Sequence, residues 1–318
     1  MINADKPYRW NDDTRKSVLQ YNDWFMDFAP ATFQTARGAC LDFVEGLFSS
    51  SDNLRSIDPD LLVNIPNALT TLRMLCAPPI ARDRLAGLAD VSRTKVKAME
   101  EGKLPTRNQA SFIANDIPAL LAVINRLMDK ELMSWLKTGE APSDIDRLVA
   151  KSVVADRLCG STSDPIIRNA QEERQLSVIS SYLEPKGYAF HDDPSVGAFD
   201  MPRGTYAYHK NVKMYQNAQD ETDGFVNTPV DVVIMPFSPA SNGPLLIECK
   251  SAGDFANTNK RRKEEDTKVT QLRATYGDVT LYLFLCGYFD STYLGYEAAN
   301  HMDWIWEHRV EDFEELGI

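Results

Sequence analysis

Residues Thr228 to Lys250 read TPVDVVIMPFSPASNGPLLIECK, two short apolar runs joined by a turn-forming segment. The runs are rich in Val, Ile and Leu and are bounded by Pro, Ser, Asn and Gly, which predicts a hairpin of two buried strands. Three charged side chains interrupt them: Asp231, Glu248 and Lys250. Because isolated charges are costly to bury, we expect these three to satisfy one another or to hold a metal ion.

The spacing of the three charges suits a metal site. Neighbouring strands lie about 4.8 Å apart, so carboxylates at facing ends of two antiparallel strands reach a single cation. Glu248 and Lys250 are two residues apart and therefore share a face of their strand. This arrangement resembles the PD-(D/E)xK pattern of many endonucleases, with one departure, since Val230 separates Pro229 from Asp231.

Composition limits the compartment and the partners. The chain has 318 residues, 43% of them hydrophobic, which is enough for a sizeable core in one domain or two. A net charge of -12 disfavours unselective attraction to DNA or to an anionic membrane, so any DNA contact requires a local basic patch. The five cysteines are widely spaced and form no CxxC pair, which indicates reduced thiols in a cytoplasm. We find no targeting segment and no apolar run of roughly 18 residues, so no membrane association is expected.

Helical periodicity dominates the first half of the chain. The apolar spacing predicts two helices over about 12–47, divided at Pro30, and another over about 108–136. Segment 140–144 has the composition of a linker, which predicts a helical N-terminal domain over 1–143 and a second domain over 144–318. In the second domain a helix is expected to begin at Asp164, after a break at 160–163.

Residues 80–105, IARDRLAGLADVSRTKVKAMEEGKLP, predict a helix-turn-helix pair. Ser92 is a natural N-cap for the second helix, and Gly102 a natural stop. The start of a second helix reads base edges in the major groove, and here it would present Arg93, Thr94, Lys95 and Lys97. An ordinary helical pair with a solvated basic face stays open as the alternative, because Asp90 stands where glycine often makes the tight turn.

The C-terminal half predicts the order α, β, β, β, α, β. A helix with Glu172 and Glu173 on its polar side precedes a short strand at 188–191 and the hairpin, and a helix and a buried strand at 279–285 follow. This order is associated with the PD-(D/E)xK superfamily. The predicted fold class is α+β, a helical N-terminal region with the helix-turn-helix-like pair followed by an αβββαβ restriction-endonuclease-like core with a mixed central sheet. The long connection at 192–227 is expected to be functional or disordered.

A basic cluster follows the hairpin at the start of the predicted helix over about 257–276. Its amide, hydroxyl and cationic groups suit a phosphate, because a helix N-terminus attracts anions and the cations supply counter-charge. The candidate DNA-binding residues are Asn257, Thr258, Asn259, Lys260, Arg261 and Arg262. A solvated helix face, paired to the acidic residues at 264–266, is the alternative.

Five stretches together resemble the XamI-type family of type II restriction endonucleases. They read ARDRLAGLADVSRTKVKAMEEGKLP, VDVVIMP, LLIECKSAGDFANTNKRRKEE, QLRATYG and LFLCGYFDSTYLGYEAA, and the likeness spans most of the chain from about residue 80. The resemblance implies a Mg²⁺-dependent nuclease that cuts double-stranded DNA at a short palindromic site as a homodimer. The family prototype reads GTCGAC, which gives a candidate site, and a cognate DNA methyltransferase is expected in the same restriction-modification system.

The resemblance also implies roles for the charged residues. Asp231 and Glu248, with the main-chain carbonyl of Cys249, would hold Mg²⁺, and Lys250 would position or deprotonate the attacking water, leaving 5′-phosphate ends. Independently of the resemblance, placement on the preceding helix predicts that Glu172 or Glu173 adds an outer carboxylate, with Glu173 as the catalytic candidate. Two alternatives stay open. One is a helix-turn-helix regulator in which the trio is a structural ion-pair cluster, and the other is a structure-specific repair nuclease of the same fold.

Overall fold

The computed structural model of the chain describes residues 1–218, 224–238, 243–256, 258–277 and 279–318, and for 258–264 it describes the helix but not the side chains. The described residues form two compact units. Unit 1 comprises Met1–Phe28 and Arg168–Ile318, and unit 2 comprises Ala29–Ile167. The division into domains at 143/144 stays a prediction.

The helices of the first half are mostly short and follow one long helix. In chain order they are α1 (Trp10–Ser50), α2 (Pro59–Asn64), α3 (Ala68–Met74), α4 (Arg82–Leu88), α5 (Arg93–Glu100), α6 (Gln109–Ser111), α7 (Ile117–Leu127) and α8 (Trp135–Thr138). A π-helical turn, Phe112–Asp116, joins α6 to α7. Side chains from these elements form the apolar core of unit 2, in which Val44, Phe48, Leu72, Phe112 and Leu120 are fully buried.

Two long helices run through points where the sequence predicts breaks. The predicted division at Pro30 is wrong, since Pro30 lies inside α1. The predicted break at 160–163 is also wrong, because α9 (Asp144–Leu183) is continuous and contains Pro165. Within α9 the Ser161 and Thr162 hydroxyls donate to the Leu158 carbonyl oxygen, and Ala155 and Leu158 are buried in the core of unit 2. Backbone propensity is a weak preference beside such packing.

The predicted helix over about 108–136 ends early. α7 stops at Leu127, whose carbonyl oxygen accepts a hydrogen bond from the Ala77 amide at 2.9 Å. The Asp129 amide then donates to the Leu75 carbonyl oxygen at 2.8 Å, and Cys76 forms a β-bridge with Met128. These bonds replace the helical ones, so the chain leaves the helix although the apolar periodicity continues.

The stretch Gln109–Leu127 is long and apolar enough to cross a membrane by length and composition alone, and among the described residues it is the one span that meets this test. Its apolar side chains at Ile117, Leu120, Leu121 and Ile124 are buried in the core of unit 2. That burial accounts for its apolar composition.

A mixed six-stranded sheet forms the centre of unit 1 in the part of the chain that is described. Its strands are β1 (Ala189–Phe190), β2 (Thr205–Tyr215), β3 (Phe225–Met235), β4 (Leu245–Ala252), β5 (Leu281–Gly287) and β6 (Asp303–Trp306), and they lie in sequence order. The pairs β2–β3 and β3–β4 are antiparallel, whereas β1–β2, β4–β5 and β5–β6 are parallel. The α+β class with a mixed sheet is therefore confirmed.

Helices cover both faces of this sheet. On one face Val269 and Leu272 of α10 (Thr258–Tyr276) and Leu294 of α11 (Ser291–Ala299) pack against strand residues that include Leu246 and Leu283. On the other face the second half of α9 and the 3₁₀ segment Glu307–Leu316 pack against strand residues, through apolar side chains at Leu176, Ile179, Leu183 and Phe313. A sheet between two helical layers buries its strands on both faces, which explains the apolar runs in the sequence.

Segment 192–227 contains a strand that the sequence analysis missed. β2 pairs with β3 from Thr205↔Met235 to Tyr215↔Phe225. His209 interrupts the ladder, since it has a φ of 50° and stands opposite Asp231, between the pairs Tyr208↔Val232 and Lys210↔Val230. A non-glycine residue rarely adopts this backbone conformation. The alternation of polar and apolar residues that predicts a strand is therefore broken at this point.

Gly287 allows β4 and β5 to meet closely at the end of their ladder, where it pairs with Ala252. Its φ is +103°, and a Cβ at this position would collide with the Ala252 carbonyl oxygen. We expect Gly287→Ala to lower the free energy of unfolding by about 1–3 kcal/mol, because both the conformation and the space require glycine. The midpoint of urea unfolding, followed by circular dichroism, measures this effect.

Gly46→Ala in α1 is the matched control for this prediction. A Cβ at Gly46 meets nothing within 4 Å, so alanine should leave stability unchanged or raise it by about 0.5–1 kcal/mol. Equal midpoints for the two variants would contradict the assigned role of Gly287.

Candidate active site

The predicted hairpin is confirmed, and it brings the three charged residues of the opening stretch together. β3 and β4 pair antiparallel with Val232 opposite Ile247, which places Asp231 across from Glu248. The Asp231 carboxylate accepts a hydrogen bond from the Cys249 amide at 2.8 Å. This bond crosses from one strand to the other, so it fixes the Asp231 side chain against the backbone that carries Glu248 and Lys250.

Glu248 lies between two ammonium groups. Its side chain is 8% exposed, and the Lys250 Nζ lies 3.3 Å from its Oε2. The Lys268 Nζ, from α10, contacts its Oε1. Lys268 also donates to the Pro229 carbonyl oxygen at 2.6 Å, so one α10 side chain joins β3 to β4.

Lys250 faces several carboxylates. Burial by itself lowers the pKa of Lys250, but the carboxylates of Glu248, Glu265 and Asp231 outweigh it, and the net pKa is raised above its usual value. Glu265 lies on α10 with its Oε1 3.7 Å from the Lys250 Nζ, and its Oε2 accepts a hydrogen bond from the Tyr293 hydroxyl at 3.0 Å. Lys250 therefore carries a positive charge in this environment.

The pKa of the Asp231 carboxyl is raised. Burial is the largest cause, and repulsion by the Glu248 carboxylate is the second, against the opposing effect of the Cys249 hydrogen bond and of Lys250 and Lys268. A cation bound beside Asp231 would relieve the repulsion that the Glu248 carboxylate exerts on it. Carboxylate and main-chain oxygens are hard ligands of the kind that Mg²⁺ prefers, so the donor set fits that ion.

A second group of possible ligands extends this site toward α9. One ligand atom each from Glu172, His209 and Asp231 lie within 4.8 Å of one another. The His209 Nε2 is 3.6 Å from the Glu172 Oε1. Glu172 is thus the α9 glutamate that approaches Asp231, whereas Glu173 is exposed. The catalytic role named for Glu173 stays a prediction.

The charged residues open onto a cleft of about 550 Å³. Side chains from β3, β4 and α10 line it, namely Thr228, Glu248, Lys250, Glu265, Thr267, Lys268 and Gln271. The cleft therefore gives a ligand direct access to Glu248 and Lys250. A phosphate that entered it would meet both ammonium groups.

Gln175 supports the strand that carries Lys250. It is buried on α9, and its Nε2 donates to the Phe284 carbonyl oxygen at 3.0 Å and to the Lys250 carbonyl oxygen at 3.4 Å. Lys250 and Phe284 lie on the neighbouring parallel strands β4 and β5. One amide side chain thus holds both strands in place behind the cleft.

The predicted pair of helices at 80–105 is present as α4 and α5, and Asp90 makes the turn with a φ of 54°. Each cation named for α5 has an acidic partner in unit 2. The Arg93 guanidinium is 3.7 Å from Asp83, the Lys95 Nζ is 2.5 Å from Asp116, and the Lys97 Nζ is 3.7 Å from Glu101. Arg93, Thr94 and Lys97 are exposed, and Lys95 is half-buried. DNA contact by these four residues stays a prediction.

The side chains of the basic cluster at the start of α10 lie outside the described part of the chain. Asn257 is outside it entirely, and so are the side chains of Thr258, Asn259, Lys260, Arg261 and Arg262. The helix itself is confirmed from Thr258 to Tyr276. The proposed phosphate contacts stay a prediction.

Sequence reasoning missed Lys268, Glu265 and His209. Glu265 and Lys268 are three residues apart on α10, so they share one face of the helix. The sequence contains that spacing, but the packing of α10 against the sheet selects which face meets Glu248. His209 carries no signal in the sequence because its position depends on the interruption of the β2–β3 ladder.

Comparisons with known proteins give a consistent family. A sequence profile described as XamI restriction endonuclease matches residues 52–306. The chain is 48% identical over 320 residues to "Type II restriction enzyme SalI" of Streptomyces albus G, which covers 100% of both chains. It is 28% identical over 141 residues to "Type II restriction enzyme XamI" of Xanthomonas campestris pv. amaranthicola, covering 43% of this chain and 45% of that one. No solved structure matches.

Proposed function

The chain belongs to the XamI restriction endonuclease family and is a type II site-specific deoxyribonuclease that binds DNA, and we propose that it makes Mg²⁺-dependent double-strand cuts from a PD-(D/E)xK centre. One observation carries this proposal. Asp231 lies across from Glu248 on the adjacent strands β3 and β4, and Glu248 and Lys250 line an open cleft. Two carboxylates and a lysine in this arrangement suit phosphodiester hydrolysis.

The proposed Mg²⁺ ligands are the carboxylates of Asp231 and Glu248 and the main-chain carbonyl of Cys249. When bound, the ion would lower the pKa of a coordinated water and offset negative charge on the phosphate. The raised pKa of Asp231 supports this, because burial and then repulsion by the Glu248 carboxylate disfavour its charged form, and a bound cation would offset both.

Lys250 is proposed to orient the attacking water and to stabilise charge on the phosphate. Its raised pKa favours a positively charged ammonium over a free amine, so orientation rather than proton abstraction is the role we assign. The water attacks phosphorus in line with the 3′ oxygen and gives up a proton to solvent, the P–O3′ bond breaks, and the proposed products are a 5′-phosphate and a 3′-hydroxyl.

The order of elements in unit 1 supports the proposed PD-(D/E)xK fold. After α9 and the two-residue edge strand β1, the strands β2, β3 and β4 precede α10 and β5, which gives the order α, β, β, β, α, β once β1 is set aside. We further propose that residues 1–143 form a helical domain whose α4–α5 pair contacts DNA, and that 144–318 form the nuclease domain. The basic cluster at 257–262 is proposed to bind phosphate.

We propose a short palindromic site, with GTCGAC as the candidate, read by a homodimer. A two-fold symmetric site presents each half to one of two identical subunits, which favours a dimer. The same proposal includes a cytoplasmic location and a cognate DNA methyltransferase in the same restriction-modification system. The similarity over the full length is to a type II restriction enzyme, which disfavours a helix-turn-helix regulator and a structure-specific repair nuclease.

Glu172 is proposed as the outer carboxylate because it approaches Asp231. We expect Glu172→Gln to slow cleavage about tenfold or more, since a carboxylate that helps to hold a metal or its water would be lost. Glu173→Gln is the matched control on the same helix, and it should cleave at the wild-type rate because the Glu173 side chain is exposed. Single-turnover cleavage of a plasmid measures both, and a larger loss for Glu173→Gln would assign the role to that residue instead.

Digestion of a large DNA with and without Mg²⁺, followed by sequencing of the fragment ends, tests the proposed function. A discrete ladder that EDTA abolishes, with one sequence at every end, is the expected result. A smear, or the same ladder in EDTA, would contradict Mg²⁺-dependent cutting at one site.

A further inference from the structure

Lys268 is a third charged side chain beside Glu248 and Lys250, and the proposed mechanism does not use it. It reaches the cleft from α10, and its side chain is 14% exposed. Its Nζ contacts the Glu248 Oε1, while the Lys250 Nζ lies 3.3 Å from the Glu248 Oε2. Both oxygens of this carboxylate are therefore occupied by ammonium groups of the same chain.

We propose that Lys268 is a positioning residue that competes with the divalent cation for Glu248. This inference rests on the proposed function, because it takes Glu248 as a metal ligand. A cation that binds the Glu248 Oε1 has to displace the Lys268 ammonium, since two positive charges in contact with one oxygen repel each other.

A second contact lets Lys268 release Glu248 without losing every partner. The Lys268 Nζ also donates to the Pro229 carbonyl oxygen at 2.6 Å. Lys268 lines the open cleft together with Thr228, Thr267 and Gln271, so its ammonium can turn toward water or toward a bound phosphate. The contact with Glu248 can thus be exchanged while the tie between α10 and β3 remains.

The balance of charge in the cleft predicts how loss of the Lys268 charge changes the affinity for a divalent cation. Three carboxylates, those of Asp231, Glu248 and Glu265, act on Lys250, and among the side chains that the structure describes, Lys250 and Lys268 are the cations in contact with Glu248. Removing the Lys268 charge leaves one of these two cations beside the three anions. The free protein should then attract a divalent cation more strongly, because the competitor is gone and the local potential is more negative.

A purely structural role for Lys268 predicts the opposite sign. If Lys268 only tied α10 to β3 and β4, its loss would loosen the site and weaken binding of a cation, or leave it unchanged. The sign of the change in cation affinity therefore separates competition from structural support.

Titration of the full-length protein with Mn²⁺, with free Mn²⁺ measured by electron paramagnetic resonance and no DNA present, tests the inference. Lys268→Met and Lys268→Gln should each bind Mn²⁺ about tenfold more tightly than wild type. Lys6→Met is the matched control, because Lys6 pairs with an exposed glutamate, Glu315, at 3.0 Å, and it should bind as wild type does. Circular dichroism checks that each variant is folded.

Glu248→Gln completes the test by locating the measured ion. It should weaken Mn²⁺ binding if the ion lies at this carboxylate. Affinity that Glu248→Gln leaves unchanged would overturn both the inference and the proposed metal site. A loss in Glu248→Gln together with wild-type or weaker affinity in both Lys268 variants would overturn the role of Lys268 alone.

Discussion

Lys250→Ala should reduce cleavage by about 10³-fold or more and leave site-specific DNA binding intact. The Lys250 ammonium lies 3.3 Å from the Glu248 carboxylate and lines the cleft, so it would face the water and the phosphate. Removing one group that stabilises charge in a transition state lowers the rate about 10²- to 10³-fold. The rate should fall further because the water is no longer oriented by Lys250.

The cleavage rate and the DNA affinity must both be measured for the same variant. Single-turnover cleavage of a one-site plasmid gives the rate, and fluorescence anisotropy of a labelled duplex in Ca²⁺ gives the affinity. Lys6→Met removes a lysine charge elsewhere in unit 1 and should cleave at the wild-type rate. Cleavage by Lys250→Ala at that rate would remove Lys250 from the mechanism, and parallel losses of binding and cleavage would make it a DNA contact instead.

Asp231→Asn should lose cleavage by about 10³-fold or more and also lose affinity for the divalent cation, yet its fold should be as stable as the wild type or more so. The pKa of Asp231 is raised in the folded protein, chiefly by burial and then by Glu248. Ionisation at neutral pH therefore favours the unfolded chain, in which the pKa is lower. Asparagine removes that charge and keeps an oxygen that can accept the hydrogen bond from the Cys249 amide.

Thermal unfolding and Mn²⁺ titration of Asp231→Asn decide between a metal site and a structural ion-pair cluster. In a structural cluster the same substitution would lower the melting temperature, because the neighbouring lysines would lose a partner. The direction in which Mn²⁺ affinity changes with pH follows from the raised pKa of Asp231. Affinity for Mn²⁺ in the wild type should fall as the pH drops through the raised pKa of Asp231, since protons compete for that carboxylate. Asp23→Asn, at an exposed carboxylate in the interior of α1, is the control and should change neither property.

The sequence predicts the centre of the candidate site better than its surroundings. Asp231, Glu248 and Lys250 lie on two apolar strands joined by a turn, and strand alternation with antiparallel pairing is enough to bring them together. Glu172, Glu265 and Lys268 come from helices that pack on the sheet. Their approach depends on helix rotation, which no local pattern determines, and so the choice between Glu172 and Glu173 had to stay open.

The long helices α1 and α9 and the strand β2 also show that local sequence patterns alone do not determine the structure. Pro30 carries a strong local signal for ending a helix and Pro165 one for starting a new helix, yet α1 and α9 continue through them. The sequence did not predict β2, because His209, opposite Asp231, interrupts the alternation of polar and apolar residues along this strand. In each case contacts with distant parts of the same unit outweigh the local preference.

Anomalous diffraction from Mn²⁺-soaked crystals of the protein locates the metal ion directly. We expect the strongest peak within about 2.5 Å of a carboxylate oxygen from each of Asp231 and Glu248, with the Lys268 Nζ moved away from Glu248. A strongest peak that touches neither carboxylate, in crystals of an enzyme that Mn²⁺ activates, would contradict the proposed metal site.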